Sequence, residues 1–373
     1  MKILILKNHL KEGLDSLSRI GGENSGISLP IIKNFLIETV DNKVKLSMTN
    51  LEMAITSYLP AKVVEKGDLT VPFSVFNSII SNIQSERIEL EVENNNLIVK
   101  TDNYQAKIQG IKKEEFPIIP NIGDNAFSLE ISSPIFKKSI SLAMSASQFS
   151  ANKPELSGVF FNYQVSQIKM AATDSFRLAE KTINGNQFKC DFEKEFKTII
   201  PLKTAQEAAR LFKDDNKNLE VCFDQNQILI KTDNLEIISR LINGDFPDYQ
   251  AIIPESLEIE SSLNKEEFIG ALKLVGSFSD KLNEIKIAVK DKAKNIEIYS
   301  FNQAIGENKY LIPAKIKGDA IEIVFNWKFL MDGIKNIDSE DIFIGFNSDN
   351  KPAVIKNSKD PSFFYILMPI KSS

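Results

Sequence analysis

The stretch TIIPLKTAQEAARLF at residues 198–212 decides the fold, because the chain carries it three times in altered wording. It continues as NLEVCFDQNQILIKTDN (218–234) and GDFPDYQAIIP (244–254). Upstream the same order reads LTVPFSVFNSIISNI (69–83), ERIELEVENNNLIVKTDN (86–103) and EEFPIIP (114–120). Downstream it reads EIVFNWKFLMDGI (322–334), EDIFIGFNSDNKPAVIKN (340–357) and YILMPI (365–370). Pro72 and Pro201 stand 129 residues apart, Lys100 and Lys231 131, and Phe116 and Phe246 130. A repeat of this length is one folded unit used three times. It divides the 373 residues into domains at 1–123, 124–254 and 255–373, each of ordinary domain size.

Within each unit the pattern alternates between strand and helix. Ile88, Leu90 and Val92 alternate with charged residues, the period of a half-buried strand. Asn94-Asn95-Asn96 supplies a turn of residues that tolerate positive φ, and LIVKT returns as the partner strand. The same hairpin recurs around Asp224-Gln225-Asn226 and Ser348-Asp349-Asn350. Helical stripes fall near 8–20, 133–146 and 264–277, the last through Phe268, Leu272 and Val275. A second helix follows each Val/Ile-Pro, at 73–83 and 202–213, and at 327–336 where Asn326 replaces proline. Three further matching segments, VKLSMTNLEMAI (44–55), IKMAATDSFRLA (168–179) and IEIYSFNQAIGE (296–307), read as strand, polar step, strand. GluPhePro and AspPhePro are expected to leave edge strands and join sheets end to end.

Composition excludes several classes. The chain is 43% hydrophobic and 25% charged with a net charge of −5, which suits a soluble cytoplasmic protein and no general basic coat. No run approaches the about 20 apolar residues of a membrane helix. Cys190 and Cys222 form no metal pattern and read as buried thiols in a reducing compartment. His9 is the single histidine, and phosphate-loop, dinucleotide and zinc motifs are absent, so no metal or cofactor is expected. Asp174 is the best isolated acid, but its repeat mates are Asn50 and Asn302, which could not replace a general acid. A β-rich hydrolase has only scattered carboxylates in its favour.

ATDSFRLA, GDFPDYQAIIP and the terminal MPIKSS resemble the bacterial DNA polymerase III beta subunit, the sliding clamp family. LPIIKNFLIE (29–38), LSGVFF (156–161), RLINGDFPDY (240–249), AIGE (304–307) and VFN (324–326) stand in family order at family spacing, so the resemblance spans the chain. It implies an α+β fold of three clamp domains, with antiparallel sheets outside and two helices inside each. Two chains then close head to tail into a homodimeric ring around double-stranded DNA. The resemblance further implies a non-catalytic processivity factor with the polymerase III alpha subunit, the clamp loader and repair polymerases as partners. A repair-specialised clamp is the nearest alternative.

The resemblance assigns residues by position. A cleft for a short partner motif would be walled by Leu156, Thr173, Ser175, Phe176, Arg177, Leu178, Pro247 and Ile252. Asn326, Phe329, Pro352, Ile366, Leu367, Met368, Pro369 and Ile370 would complete it. Apolar walls would take Leu and Phe anchors and polar groups would fix the peptide. Phe176 stands where some members have His, and Ala251 and Lys371 where Arg is frequent, so motif preference is expected to shift. Cations gather on the expected helices. Lys11, Arg19, Lys137, Lys138, Lys203, Arg210, Lys273 and Lys328, with Lys153 on a loop, are the DNA-facing set; Lys7, Lys213, Lys265 and Lys335 belong to the same helices. Such a lining attracts phosphates without reading bases. Loops at Gly21–Gly26 and Ser147–Lys153 would also meet DNA. The dimer seam is expected at Ala106 and Ile108, with Leu272, Leu274 and Val275 on the partner helix.

Overall fold

The computed structural model describes residues 1–21, 29–123, 126–215, 217–290 and 294–371. Among them lie six α-helices: α1 (Lys7–Gly21), α2 (Phe73–Asn82), α3 (Ser133–Ala143), α4 (Leu202–Leu211), α5 (Lys265–Gly276) and α6 (Trp327–Ile334). All six fall where the repeat places them. α2 starts directly after Pro72, whose ring fixes φ and whose missing N–H costs nothing at a helix entry. α6 enters without proline because the Asn326 side chain accepts from the backbone N–H of Lys328 and Phe329.

The chain divides into two compact units: Met1–Ser133 with Lys189–Phe192 and Arg210–Leu241, and Pro134–Phe188 with Glu193–Ala209 and Ile242–Ser373. The middle repeat therefore contributes to both. The first unit holds a five-stranded sheet ordered Lys62–Glu65, Lys2–Leu6, Arg87–Glu93, Asn96–Lys100, Gln105–Gln109. It also holds most of a nine-stranded sheet, in which Leu235–Arg240 of the middle repeat pairs antiparallel with Met53–Pro60 of the first. α1 packs Leu10, Leu14 and Leu17 into the core of this unit, each fully buried.

The second unit is built on a twelve-stranded sheet. Its order is Phe196–Pro201, Gly158–Tyr163, Gln167–Thr173, Arg177–Asn184, Asp360–Leu367, Ala353–Asn357, Asp341–Phe346, Ile259–Asn264, Gly306–Lys317, Asn295–Asn302, Glu284–Val289, Ile321–Asn326. The join between middle and last repeats is again a strand pair, with Arg177 opposite Leu367 and Lys181 opposite Phe363. Both joins hide strand edges that would otherwise be open to other chains. α5 and α6 cover the last-repeat sheets, and Phe268, Ala271, Leu272 and Val275 are fully buried in that core.

The three hairpins form as read. Asn94 and Asn95 take φ of 47° and 63° in the first, the left-handed values Asn accepts most readily after glycine. The two Phe-Pro segments differ from expectation. GluPhePro follows the short 3-10 turn Lys113–Glu115, and AspPhePro lies outside any strand, so neither leaves an edge strand directly.

Candidate functional site

The site begins with a threonine and an acid-or-amide side chain that shape a turn. Thr173 Oγ1 donates to the Arg177 carbonyl at 2.7 Å and accepts from Ser175 N–H at 3.1 Å. Asp174 Oδ1 accepts from Phe176 N–H at 3.0 Å and Arg177 N–H at 3.2 Å. In the first repeat Thr49 bonds Met53 and Leu51 in the same way, and Asn50 accepts from Glu52 and Met53. In the last repeat Asn302 Oδ1 accepts from Ala304 N–H. Asp174 is thus a turn-forming side chain whose task needs only an oxygen acceptor, which Asn supplies equally. Ser175 at φ 78° and Leu51 at φ 74° occupy the left-handed position of this turn.

The turn presents Phe176, 63% exposed, and sends the Arg177 side chain inward to 7% exposure. Arg177 Nε donates to Asp174 Oδ2 at 2.8 Å and Nη1 to Asp332 Oδ2 at 2.7 Å. Its guanidinium lies over the Phe329 ring, 4.2 Å from the centroid. Burial opposes its charge, but Tyr365, Asp332 and Asp174 outweigh that, and its pKa is held above the usual arginine range. Tyr365 OH donates to the Phe329 carbonyl at 2.9 Å. Gly333 admits this packing, because a Cβ there would stand 2.6 Å from the Tyr365 ring. One cation therefore ties the middle-repeat turn to α6 and to Tyr365 of strand Asp360–Leu367.

The chain end completes the arrangement. After Leu367, Met368 N–H donates to the Phe176 carbonyl and Ile370 N–H to the Val324 carbonyl, both at 2.8 Å. Met368, Pro369 and Ile370 are half-buried, as are Asn326, Phe329 and Pro352. Leu178, Ile366 and Leu367 are fully buried. Leu178 and Ile366 share an apolar cluster with Ala171, Tyr249 and Val354, against which Phe246 and Ile253 pack. Leu367 belongs instead to the last-repeat core on the other face of the sheet, so none of the three is an open wall of a cleft. Pro247 and Ile252 are exposed on the segment anchored by Tyr249, whose OH donates to Glu180 Oε2 at 2.5 Å. Leu156 is buried in the 3-10 turn Pro154–Leu156. The arrangement offers an exposed aromatic, a sulfur-bearing side chain and half-buried apolar groups over a rigid polar anchor. Asp332 and Tyr365, which hold Arg177, stand in repeat stretches of the last copy, but nothing in those stretches marks them as its partners, since neither lies near Arg177 along the chain.

The cation set divides in two. Lys11, Arg19, Lys138, Lys153, Arg210, Lys273 and Lys328 are exposed, whereas Lys137 and Lys203 are half-buried. Lys138 pairs with Asp338 at 3.3 Å, Lys203 with Glu207 at 3.3 Å, and Lys213 with Glu12. Lys7 donates to the Ile83 carbonyl and Lys265 to the Ile337 carbonyl, so both serve to anchor helix entries. The loop Gly21–Gly26 lies, after Gly21, outside the described residues. At the expected seam, Ala106 is half-buried and Leu274 is 55% exposed. Leu272 and Val275 face their own core and Ile108 is 6% exposed, so these three side chains are not free to meet a second chain. The helical period turns 272 and 275 inward with Phe268, which leaves 274 outside.

Profiles of the three domains of the DNA polymerase III beta subunit match the chain: the N-terminal domain over residues 1–120, the central domain over 130–248 and the C-terminal domain over 250–371. A beta sliding clamp of Bacillus subtilis (strain 168) is 25% identical, with 100% of both chains covered. A beta sliding clamp of Staphylococcus aureus is 26% identical over 92% of this chain and 93% of its own. Among solved structures, a DNA polymerase sliding clamp from Bacillus subtilis superposes with a TM-score of 0.93 at 24% identity, covering 100% of both chains. The beta subunit from DNA polymerase of Streptococcus pyogenes gives 0.93 at 21%, again with 100% coverage of each. Among the described residues no helix is long and apolar enough to cross a membrane.

Proposed function

Because the chain belongs to the DNA polymerase III beta subunit family, the non-catalytic sliding clamps that act as processivity factors, we propose how its own residues carry that function. Two copies close head to tail into a ring around duplex DNA in the cytoplasm. The domains run 1–123, 124–254 and 255–373. The exposed cations Lys11, Arg19, Lys138, Lys153, Arg210, Lys273 and Lys328 face the phosphates, with Lys137 and Lys203 beside them. Attraction to phosphate alone carries no sequence preference, so the ring slides.

Partners dock at the cleft over the Arg177–Leu367 strand pair. The observation that carries this reading is the Arg177 anchor. It joins the turn bearing Phe176 to α6 and the terminal strand, and so holds Phe176, Phe329, Met368, Pro369 and Ile370 as one preformed surface. Preformed apolar surface spares a short peptide the cost of ordering its receptor. The polymerase alpha subunit, the clamp loader and repair polymerases would compete for it. A tethered polymerase rebinds its template as an intramolecular event at high effective concentration.

The test is topological. Loaded on nicked circular DNA, the chain should stay bound through gel filtration and be lost when the circle is cut once. Retention on linear DNA with free ends would overturn the ring. Light scattering should give about twice the 41.9 kDa chain mass.

A further inference from the structure

A cavity of about 490 Å³ opens between the strand Gly158–Tyr163 and the Phe-Pro segment of the middle repeat. Asn162, on that strand, lines it. The residue is 5% exposed, and its Oδ1 has no hydrogen-bond partner. A buried acceptor left unmade is costly, so a polar group kept at such a place points to a ligand that donates. Phe160 and Phe246 line the same cavity. Their rings stack with 4.7 Å between centroids and 4° from parallel, and Tyr249 stands edge-on to both.

The charges around the cavity favour a cation. Asp245 and Asp248 line it, both exposed, and neither is paired with a cation among the described residues. Asp248 Oδ1 accepts from Gln250 N–H at 3.1 Å, which leaves its second oxygen for a ligand. Lys197, opposite Asn162 on strand Phe196–Pro201, is the one cation among the lining residues, and its exposed head can stay in water. Lys169, opposite Asn162 on the other side, is occupied by Glu180 at 3.6 Å. A guanidinium meets all of these needs at once. It carries five N–H donors, lies flat on aromatic rings and pairs with carboxylates. Arg177 shows the same combination within this chain, over Phe329 with Asp174 and Asp332. An ammonium would supply the charge without the flat contact.

We propose that this cavity receives an arginine side chain of a docking partner, from a position beyond the apolar anchors that the partner sets over Phe176 and Met368. The site is continuous with that surface. Phe160, Phe246 and Tyr249 pack in the same apolar cluster as Leu178 and Ile366. Asn162 lies opposite Lys169, four residues along its strand from Thr173, where the docking turn begins. At about 3.3 Å per residue and about 4.8 Å per strand the two ends stand about 14 Å apart, the reach of four or five extended residues. An arginine at that distance separates partners that share the same anchors, because those without it leave Asn162 and the two carboxylates unmet. This rests on the docking reading, since the anchors bring the arginine to the cavity.

Anisotropy titrations of the full chain test it. Labelled peptides with Leu and Phe anchors carry, at one end or the other, a four-residue Gly-Ser spacer followed by Arg, Lys, Glu or Ala. At one of the two ends Arg should lower the dissociation constant about three- to tenfold against Ala, and Lys by less. Asp245→Asn with Asp248→Asn, and separately Asn162→Leu, should each remove most of that gain and leave the Ala peptide unchanged. The aspartate pair is exposed, so its variant keeps the test open should Asn162→Leu unfold. Equal binding of the Arg and Ala peptides at both ends overturns the site. So does tighter binding of the Glu peptide, or an Arg gain that survives the aspartate variant. Each of these leaves the docking reading standing, because the Ala peptide still binds. An Ala peptide that fails to bind a dimeric parent chain overturns the docking reading, and this inference with it.

Discussion

Replacing Arg177 tests whether the cleft is held by that one side chain. Arg177→Leu removes a charge-assisted bond to Asp174 at 2.8 Å, another to Asp332 at 2.7 Å and the stacking on Phe329. A hydrogen bond to a charged group contributes about 1.5–3 kcal/mol, and a ring–cation contact about 0.5–1 kcal/mol. The full sum overstates the loss. Asp174 keeps its two backbone donors, and Asp332 is a third exposed and keeps Lys335 at 2.7 Å. A destabilisation of about 2–4 kcal/mol is expected. The assay is urea unfolding of four chains: the parent, Arg177→Leu, Asp332→Asn and the double variant. Their cycle isolates the pair, and its coupling should exceed about 1 kcal/mol. Binding of a labelled short peptide with Leu and Phe anchors should weaken in both single variants, because each frees the turn from α6. Coupling below about 0.3 kcal/mol with unchanged peptide affinity would refute the anchor.

Other outcomes follow from the same geometry. Truncation after Leu367 keeps the terminal strand paired on both sides but removes Met368, Pro369 and Ile370; loss of two or three apolar contacts, about 2–5 kcal/mol, should weaken the peptide roughly 30-fold or more in anisotropy titrations. Lys137→Glu, Lys138→Glu and Arg210→Glu together should lower loading on primed DNA more at low salt than at high salt while dimer mass is kept, since screening hides exposed charges. Glu38 gives an acid-side effect. Burial raises its carboxyl pKa, but Lys113 and Lys45 outweigh that and the net shift is downward. Its contribution to stability is therefore full above the unfolded carboxylate range, about 4.3, and is lost as pH falls through the lower folded value. Glu38→Gln should flatten the pH dependence of urea midpoints in that window, and an unchanged slope would dismiss the pairing.

Much of this was legible because repetition supplies its own control. Asn50, Asp174 and Asn302 could be ruled out as a catalytic series from the sequence alone, and the structure gives all three one backbone task. Helix positions were legible because proline precedes two of the three second helices and an apolar stripe recurs in the first helix of every repeat. Roles of single lysines were not. Lys7 and Lys265 look like Lys11 and Lys273 in a helix pattern, yet their partners are carbonyls of Ile83 and Ile337, more than 70 residues away. Of the residues expected at the seam, Leu272 and Val275 lie on the stripe through Phe268, which turns both into their own core. The anchoring of Arg177 by Asp332 was hidden for the same reason as the lysines, because only folding brings position 332 beside 177.

The threonine-and-acceptor turn has a consequence for how such a surface changes over generations. The turn's own backbone geometry is set by side chains of its first two residues, as the matching bonds of Thr49-Asn50 and Thr173-Asp174 show. The next two positions, Leu51-Glu52 in one copy and Ser175-Phe176 in the other, contribute only main-chain atoms to that geometry. The side chains at 52 and 176 can therefore drift without disturbing the mount that displays them, whereas 51 and 175 are confined to residues that accept positive φ. A lineage can exchange the aromatic at 176 for a polar or titratable group in a single step, and so, where partners dock as proposed, retune which of them bind while the frame beneath stays unaltered.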